Sequence, residues 1–391
     1  MEDRPLLMVA GEASADLHGA RLLTELKKIL PSQQAFGLGG EELRKAGLEV
    51  VSDEDIAVVG IVEVLRVLGR ARRVRDRLLE EARQRRPAAA VLIDMPEFNL
   101  RIAEHLRELG IPVVYYVSPQ IWAWRRGRVK KIERVVDHML VFFPFEVDFY
   151  RGHGVEVTHV GHPLVDEVPE IPQVWDHGVA PTPEEAFQVA LLPGSRRAEI
   201  ARMLPILLAA VGELRQRLPT GSSVRAVLVR AATIPEEELA AALDALPEDV
   251  PRPEIISTDR FQTLASSHVA LCKSGTSNLE VGLLRTPLVV GYRLAAWTYW
   301  LAKWLVKVPY VSLVNLVLER EAAKELIQGD MTPGRLAEEA RRLLTDSSYR
   351  DSQRQALAEL RPRLGERGAS RRAAQAVAAV LRPESPEKVP G

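Results

Sequence analysis

One cysteine, Cys272, serves the whole 391-residue chain. No internal disulfide and no thiolate metal cluster can form from it, and a reducing cytosol is the expected compartment. The histidines are scattered, which leaves no metal-ligand spacing, so neither a metal nor a cofactor is expected. The formal net charge is −1, giving no global case for a nucleic-acid partner. No uninterrupted apolar run approaches the ~18 residues of a membrane span. The opening Met1-Glu-Asp-Arg-Pro is acidic, with no long apolar core behind it, so no secretory signal is expected. Asparagine is scarce too (Asn99, Asn278, Asn315), while arginine carries most of the positive charge. Heat adaptation and base composition explain that bias equally well.

What is present is organised around Leu191-Leu192-Pro193-Gly194-Ser195-Arg196-Arg197-Ala198-Glu199. An apolar run from Val189 to Leu192 stops at Pro-Gly-Ser, and an amphipathic segment opens at Arg196. That pattern predicts a strand, a tight turn and a helix N-terminus, where free N–H groups and the helix dipole favour an anion. Gly194 permits close backbone approach, Ser195 can cap or donate, and Arg196 can hold a phosphate with two hydrogen bonds. An ordinary βα turn with a solvated arginine fits the same residues. A second turn of this kind, Lys273-Ser274-Gly275-Thr276-Ser277-Asn278-Leu279-Glu280, follows the strand through Cys272. It is neither a Walker A loop nor a GxGxxG fingerprint. Glu280 lies four residues after Thr276 on one helical face, placed for ribose hydroxyls or simply for solvent.

The first half carries matching features. A strand at Leu6–Ala10 leads into Gly11-Glu12-Ala13-Ser14-Ala15-Asp16, with Ser14 as the expected cap of a helix through Leu30. Gly37 to Gly40 reads as a glycine turn. Ile61 to Arg86 reads as one long helix, apolar at first (Ile61, Val64, Leu65, Leu68) and then rich in arginine from Arg70 to Arg77. It is either a packed helix with a charged end or a surface that dips into lipid while arginines meet anionic headgroups. A strand at Ala88–Ile93 ends in Asp94-Met-Pro-Glu-Phe-Asn99. A carboxylate outside the carboxyl end of a strand is a candidate general base, and equally a turn residue. Trp122 and Trp124 follow a strand at Val113–Val117, and His162 follows one at Val157–Val160, each readable as ligand wall or as core.

Proline-rich 168–186 reads as a linker between a 1–167 domain and a 187–345 domain. Strands at Val189–Leu192, Val224–Val229, Glu254–Ile256, Val269–Leu271 and Leu288–Val290 alternate with helices, which predicts a second parallel sheet. An aromatic helix follows with Trp297, Trp300 and Trp304, then a loop from Tyr310 holding Asn315. Helices are expected at Glu319–Gln328, Pro333–Leu344, Tyr349–Leu360 and Arg367–Leu381, with 346–391 as C-terminal helices and tail. The fold class is α/β, two domains flanking a cleft, and a nucleotide-dependent transferase is the best reading from the residues alone.

Taken together, several motifs resemble the lipid-A-disaccharide synthases, glycosyltransferases of the GT-B fold built from two Rossmann-like parallel-sheet domains. They are Gly11-Glu-Ala-Ser-Ala-Asp16, Ile93-Asp-Met-Pro-Glu-Phe-Asn99, Tyr116-Val-Ser-Pro-Gln-Ile-Trp-Ala-Trp-Arg125, Phe143-Pro-Phe-Glu146, Gly161-His162, Leu191-Leu-Pro-Gly-Ser-Arg196, Ser274-Gly-Thr276 with Glu280, and Tyr310-Val-Ser-Leu-Val-Asn-Leu316. The resemblance runs in order from Gly11 to about Leu344. It implies condensation of UDP-2,3-diacylglucosamine with 2,3-diacylglucosamine 1-phosphate, with inversion, giving a β-1,6-linked disaccharide phosphate and UDP. It implies Asp94 as base toward the acceptor 6-hydroxyl. Gly194, Ser195, Arg196, Ser274, Gly275 and Thr276 would lie at the diphosphate, Glu280 at the ribose and Asn315 in the donor site. Glu12, Ser14 and Asp16 would shape the acceptor side. Ile61, Val64, Leu65 and Leu68 would receive acyl chains at the inner face of the cytoplasmic membrane, and a homodimer is possible. Ala15 departs from the family's usual glycine, and Lys273, Ser277 and Asn278 also depart around the second turn. The rivals are a related GT-B enzyme, such as a UDP-N-acetylglucosamine 2-epimerase or the transferase of peptidoglycan synthesis, and a non-catalytic nucleotide-sugar or lipid-binding protein.

Overall fold

The computed structural model describes residues 4–52, 64–124, 126–170, 186–247, 250–294 and 308–382. The chain packs as two compact units: the residues through Pro163 with the segment from Gly365 onward, and Leu164–Leu364. The chain therefore enters the second unit near residue 164, ahead of the proline-rich stretch. The expected last helix is Ala369–Leu381, and it packs on the first unit's opening helix.

The first unit holds strands β1 (Leu6–Val9), β2 (Ala35–Leu38), β3 (Glu49–Val50), β4 (Ala89–Ile93), β5 (Val113–Tyr116), β6 (His138–Val141) and β7 (Val157–His159). They form one parallel sheet in the order β3-β2-β1-β4-β5-β6-β7. Helices α1 (Ala13–Ile29), α2 (Glu41–Lys45), α3 (Val64–Arg85), α4 (Pro96–Glu108), α5 (Val129–Val135) and α6 (Pro144–Arg151) connect them. Side chains alternate across a strand, so Leu7 and Val9 join Leu78, Leu100 and Ile132 on one face, while Leu6 and Met8 join Leu22, Leu26, Ala373 and Val377 on the other. Burial on both faces is why these strands read as continuous apolar runs.

The second unit repeats the plan with β8 (Ala186–Leu192), β9 (Ser223–Val229), β10 (Glu254–Ile256), β11 (Val269–Lys273), β12 (Leu288–Tyr292) and β13 (Lys324–Ile327). Its parallel sheet runs β10-β9-β8-β11-β12-β13. Helices α7 (Leu164–Glu167), α8 (Arg197–Arg217), α9 (Glu236–Asp244), α10 (Arg260–Ala265) and α11 (Thr276–Leu283) precede those at Leu313–Leu318, Pro333–Thr345, Ser347–Ala358 and Leu360–Leu364. Counted within each unit, the first six strands follow the doubly wound order 3-2-1-4-5-6. Strand order reverses between β1 and β4 in one unit and between β8 and β11 in the other, the place where such sheets bind ligands.

Four local expectations change. Gly37 and Leu38 belong to β2 and not to a turn. Gly37 is at φ +148 beside β1, where a Cβ would lie 1.9 Å from the Met8 carbonyl oxygen, so only glycine fits that strand position. The expected helix at Glu319–Gln328 gives way to β13, which pairs with β12 from Val289↔Lys324 to Tyr292↔Ile327. The helix propensity of Glu-Ala-Ala-Lys is overridden by an open sheet edge. Part of the expected loop from Tyr310 is the short helix Leu313–Leu318. Ser14 does not cap α1: Glu12 holds the N-cap position and Ser14 is an exposed helix residue. Ile61, Arg125, most of the linker, and Trp297, Trp300 and Trp304 lie outside the described residues, as do the side chains of Val64, Leu65 and Leu68. Among the described residues, no helix is long and apolar enough to cross a membrane.

Candidate active site

In the first unit, the loops after β1 and β4 carry Glu12 and Asp94 to the switch point. Asp94 and Met95 are both left-handed, at φ 52 and 47, which is costly for side-chain-bearing residues and must be held by the surroundings. Three bonds hold it. The Asp94 N–H donates to the Tyr116 carbonyl at 3.0 Å, and its carbonyl accepts from the Asn99 Nδ2 at 2.8 Å and from the Tyr115 hydroxyl. Pro96 then starts α4 with its φ already helical. The backbone is thus tied while the carboxylate stays outside these bonds. Desolvation raises the Asp94 pKa above the usual carboxylate range, and the nearby Glu12 charge raises it further, against a hydrogen bond from the Met95 N–H. A raised, half-buried carboxylate at a strand end has the character of a general base.

Asp16 is committed elsewhere. Its carboxylate accepts from the N–H groups of Gly40 (2.7 Å), Glu42 (2.9 Å) and Leu43 (3.1 Å), capping α2. It ties the first turn of α1 to the start of α2 and is not free to bind. His162 is buried between Phe142 and Phe143, its ring centroid 5.3 Å and 5.1 Å from theirs, and burial pushes its pKa down to about 3. It is neutral through the physiological range. The tryptophan motif is likewise anchored: Trp122 Nε1 donates to the buried Glu146 at 3.1 Å, and the Phe143 N–H donates to the same carboxylate at 3.0 Å. Burial raises Glu146 to about 7.

In the second unit, the turns after β8 and β11 flank the corresponding switch point. Gly194 is at φ +124, and Ser195 and Arg196 are exposed beyond it at the start of α8. The Ser195 N–H donates to Glu199 Oε2 at 3.1 Å, and Lys273 Nζ bonds Glu199 Oε1 at 2.9 Å, so one carboxylate links the two turns. Ser274 is buried and donates to the Val311 carbonyl at 2.8 Å; Gly275 and Thr276 open α11. Glu280 sits 3.5 Å from the Arg260 guanidinium, yet burial outweighs that attraction and raises its pKa.

Asn315 is buried and fully used. Its Oδ1 accepts from the N–H groups of Ala322 and Ala323 at 2.9 Å each, and its Nδ2 donates to the Ala323 carbonyl and Glu325 Oε1 at 2.8 Å each. Glu325 in turn accepts from the Val311 and Ser312 N–H groups, both at 2.9 Å. Asn315 therefore braces the segment that holds Ser274. Sequence reasoning missed Glu325, Glu199, Tyr115 and the supporting role of Asn99. A glutamate three residues into α8 was the one available signal. Among the described residues, no group of three or more His, Cys, Asp or Glu is placed to hold a metal ion.

Residues 6–380 match the family model described as lipid-A-disaccharide synthetase. Curated lipid-A-disaccharide synthases resemble the chain over nearly its full length. The protein of Anaeromyxobacter dehalogenans (strain 2CP-1 / ATCC BAA-258) is 46% identical over 96% of this chain and 97% of its own. That of Myxococcus xanthus (strain DK1622) is 42% identical over 97% and 98%. Among solved structures, UDP-GlcNAc 2-epimerase from Neisseria meningitidis bound to UDP-GlcNAc has TM-score 0.62 at 12% identity, covering 96% of this chain and 99% of its own. Acinetobacter baumannii MurG has TM-score 0.55 at 16% identity, covering 96% and 99%. With the glycosyltransferase neighbour CalG4 (TM-score 0.58 at 17% identity over 99% of this chain and 100% of its own), these likenesses show a fold of the GT-B type.

Proposed function

Since the chain belongs to the lipid-A-disaccharide synthase family, glycosyltransferases of lipid A biosynthesis, we propose that it joins UDP-2,3-diacylglucosamine to 2,3-diacylglucosamine 1-phosphate with inversion. The observation that carries this reading is Asp94, a carboxylate of raised pKa on a strained strand end whose backbone is fully tied. In one displacement, Asp94 takes the proton of the acceptor 6-hydroxyl as that oxygen bonds the donor's anomeric carbon. The bond from that carbon to the UDP oxygen breaks on the opposite face. The departing diphosphate carries its charge toward Gly194, Ser195, Arg196, Ser274, Gly275 and Thr276, where fixed N–H groups and arginine stabilise it. Glu280 holds the ribose. Asn315 acts through the loop it braces. Glu12 and Ser14 border the acceptor, and Asp16 supports them. The exposed arginines of α3 (Arg70, Arg72, Arg73, Arg77) meet anionic headgroups at the inner face of the membrane, next to the apolar 61–68 stretch.

The test is a mass-spectrometric assay with both lipid substrates in detergent, comparing the wild type with Asp94→Ala. Loss of a general base lowers turnover by roughly 10²–10⁴, and UDP affinity should persist. A wild type that binds UDP-sugar but yields no disaccharide would favour an epimerase or a binding protein instead.

A further inference from the structure

Lys273 and Glu199 form the only described link between the side chains of the two second-unit turns. Lys273 is the last residue of β11 and Glu199 the third of α8, and they are 18% and 20% exposed. Besides the ammonium at 2.9 Å, the glutamate takes the Ser195 N–H at 3.1 Å. A Cβ on Gly194 would lie 2.4 Å from Glu199 Oε2, so that glycine leaves the room the carboxylate fills. The ammonium also lies 5.6 Å from the centroid of the Tyr292 ring and within 3.6 Å of where a Gly275 Cβ would be. One negative group thus occupies a backbone donor and a cation that together suit a phosphate.

We propose that Glu199 is a resident substitute for the ligand's terminal phosphate and that Lys273 is the cation released to it. On entry of a nucleoside diphosphate, the terminal phosphate takes the Ser195 N–H and the Lys273 ammonium, and Glu199 swings out to solvent. Without the glutamate, an ammonium beside two helix N-termini would face only positive ends, which is unfavourable when half-buried. With it, the empty turns stay neutral, and only a group of higher charge than a carboxylate displaces it. A nucleoside monophosphate has no second phosphate to reach Lys273, so the pair also discriminates between the two nucleotides. This inference rests on the donor role given above to the second unit.

Calorimetric titration of the full chain with UDP and with UMP tests it on wild type, Lys273→Met, Lys273→Arg and Glu199→Gln. Removing one charge-assisted bond should weaken UDP roughly tenfold to a hundredfold in Lys273→Met and leave UMP within about threefold. Lys273→Arg should recover most of the loss. Glu199→Gln, with its competitor uncharged, should bind UDP at least as tightly as wild type. Lys273→Met therefore loses UDP affinity while Glu199→Gln does not, whereas a merely structural ion pair would weaken both together. A shared weakening, or wild-type UDP affinity in Lys273→Met, overturns the assignment and leaves the donor site standing. Wild type that binds no UDP overturns the donor reading itself.

Discussion

Replacing Asn315 separates a brace from a ligand contact. In Asn315→Ala, the Ala322 and Ala323 N–H groups and the Ala323 carbonyl lose their side-chain partners, and Glu325 loses one donor. Ala323 is fully buried, so water cannot easily replace the amide. Each buried group left unsatisfied costs about 1–3 kcal/mol. The Ala322 N–H keeps the Arg320 carbonyl, so the cost falls on the Ala323 N–H and carbonyl, together roughly 2–6 kcal/mol. For a unit of some 200 residues, each kcal/mol moves the midpoint about 2–4 °C, so the second unit should melt roughly 10 °C lower. Scanning calorimetry should resolve this from the first unit, because the two need not unfold together. UDP affinity measured well below the new midpoint should fall only a few-fold. If the variant melts within about 2 °C of wild type yet loses UDP by a hundredfold, the side chain contacts the ligand and the bracing argument is wrong.

Glu12→Gln removes a negative charge that raises the Asp94 pKa, so the acid limb of the kcat/KM profile should shift to lower pH. A profile that stays put would detach Glu12 from the base. Glu146 has a folded pKa near 7, above its unfolded value, so its contribution is present below the unfolded pKa and lost as pH rises to about 7. Urea midpoints of the wild type should therefore drop between roughly pH 4.5 and 7, and Glu146→Gln should flatten that drop; an unchanged slope assigns it to other groups.

The strands flanking the two switch points could be read from sequence because parallel strands covered on both faces are unbroken apolar runs: Leu6–Val9, Ala89–Ile93, Val189–Leu192 and Val269–Leu271. Each gives way within a few residues to polar ones, which made Glu12, Asp94, Ser195 and Ser274 visible as strand-end groups. What could not be read is who consumes a polar side chain. Asp16 looked free until α2 appeared, its N–H groups 24 to 27 positions away. Lys273 and Glu199 are 74 positions apart and meet because β8 and β11 are neighbours. Pairings of that kind follow from strand order, and strand order is not a local property of the chain. The same holds for β13, whose helix-forming sequence is extended because β12 offers it an edge.

Two units of one topology place opposite charge at equivalent positions. After the first and fourth strands of the first unit come Glu12 and Asp94, and the Glu12 charge disfavours the ionised form of Asp94. At the ends of those of the second lie Gly194, Ser195, Arg196 and Lys273. Both units offer helix N-termini, which alone would attract an anion equally. Two carboxylates at the first switch point oppose that attraction. At the second, the N–H groups and cations add to it, and Glu199, the carboxylate that bridges the two turns, is paired with Lys273. An anion is therefore favoured at the second switch point over the first, a difference set by side chains and not by the fold.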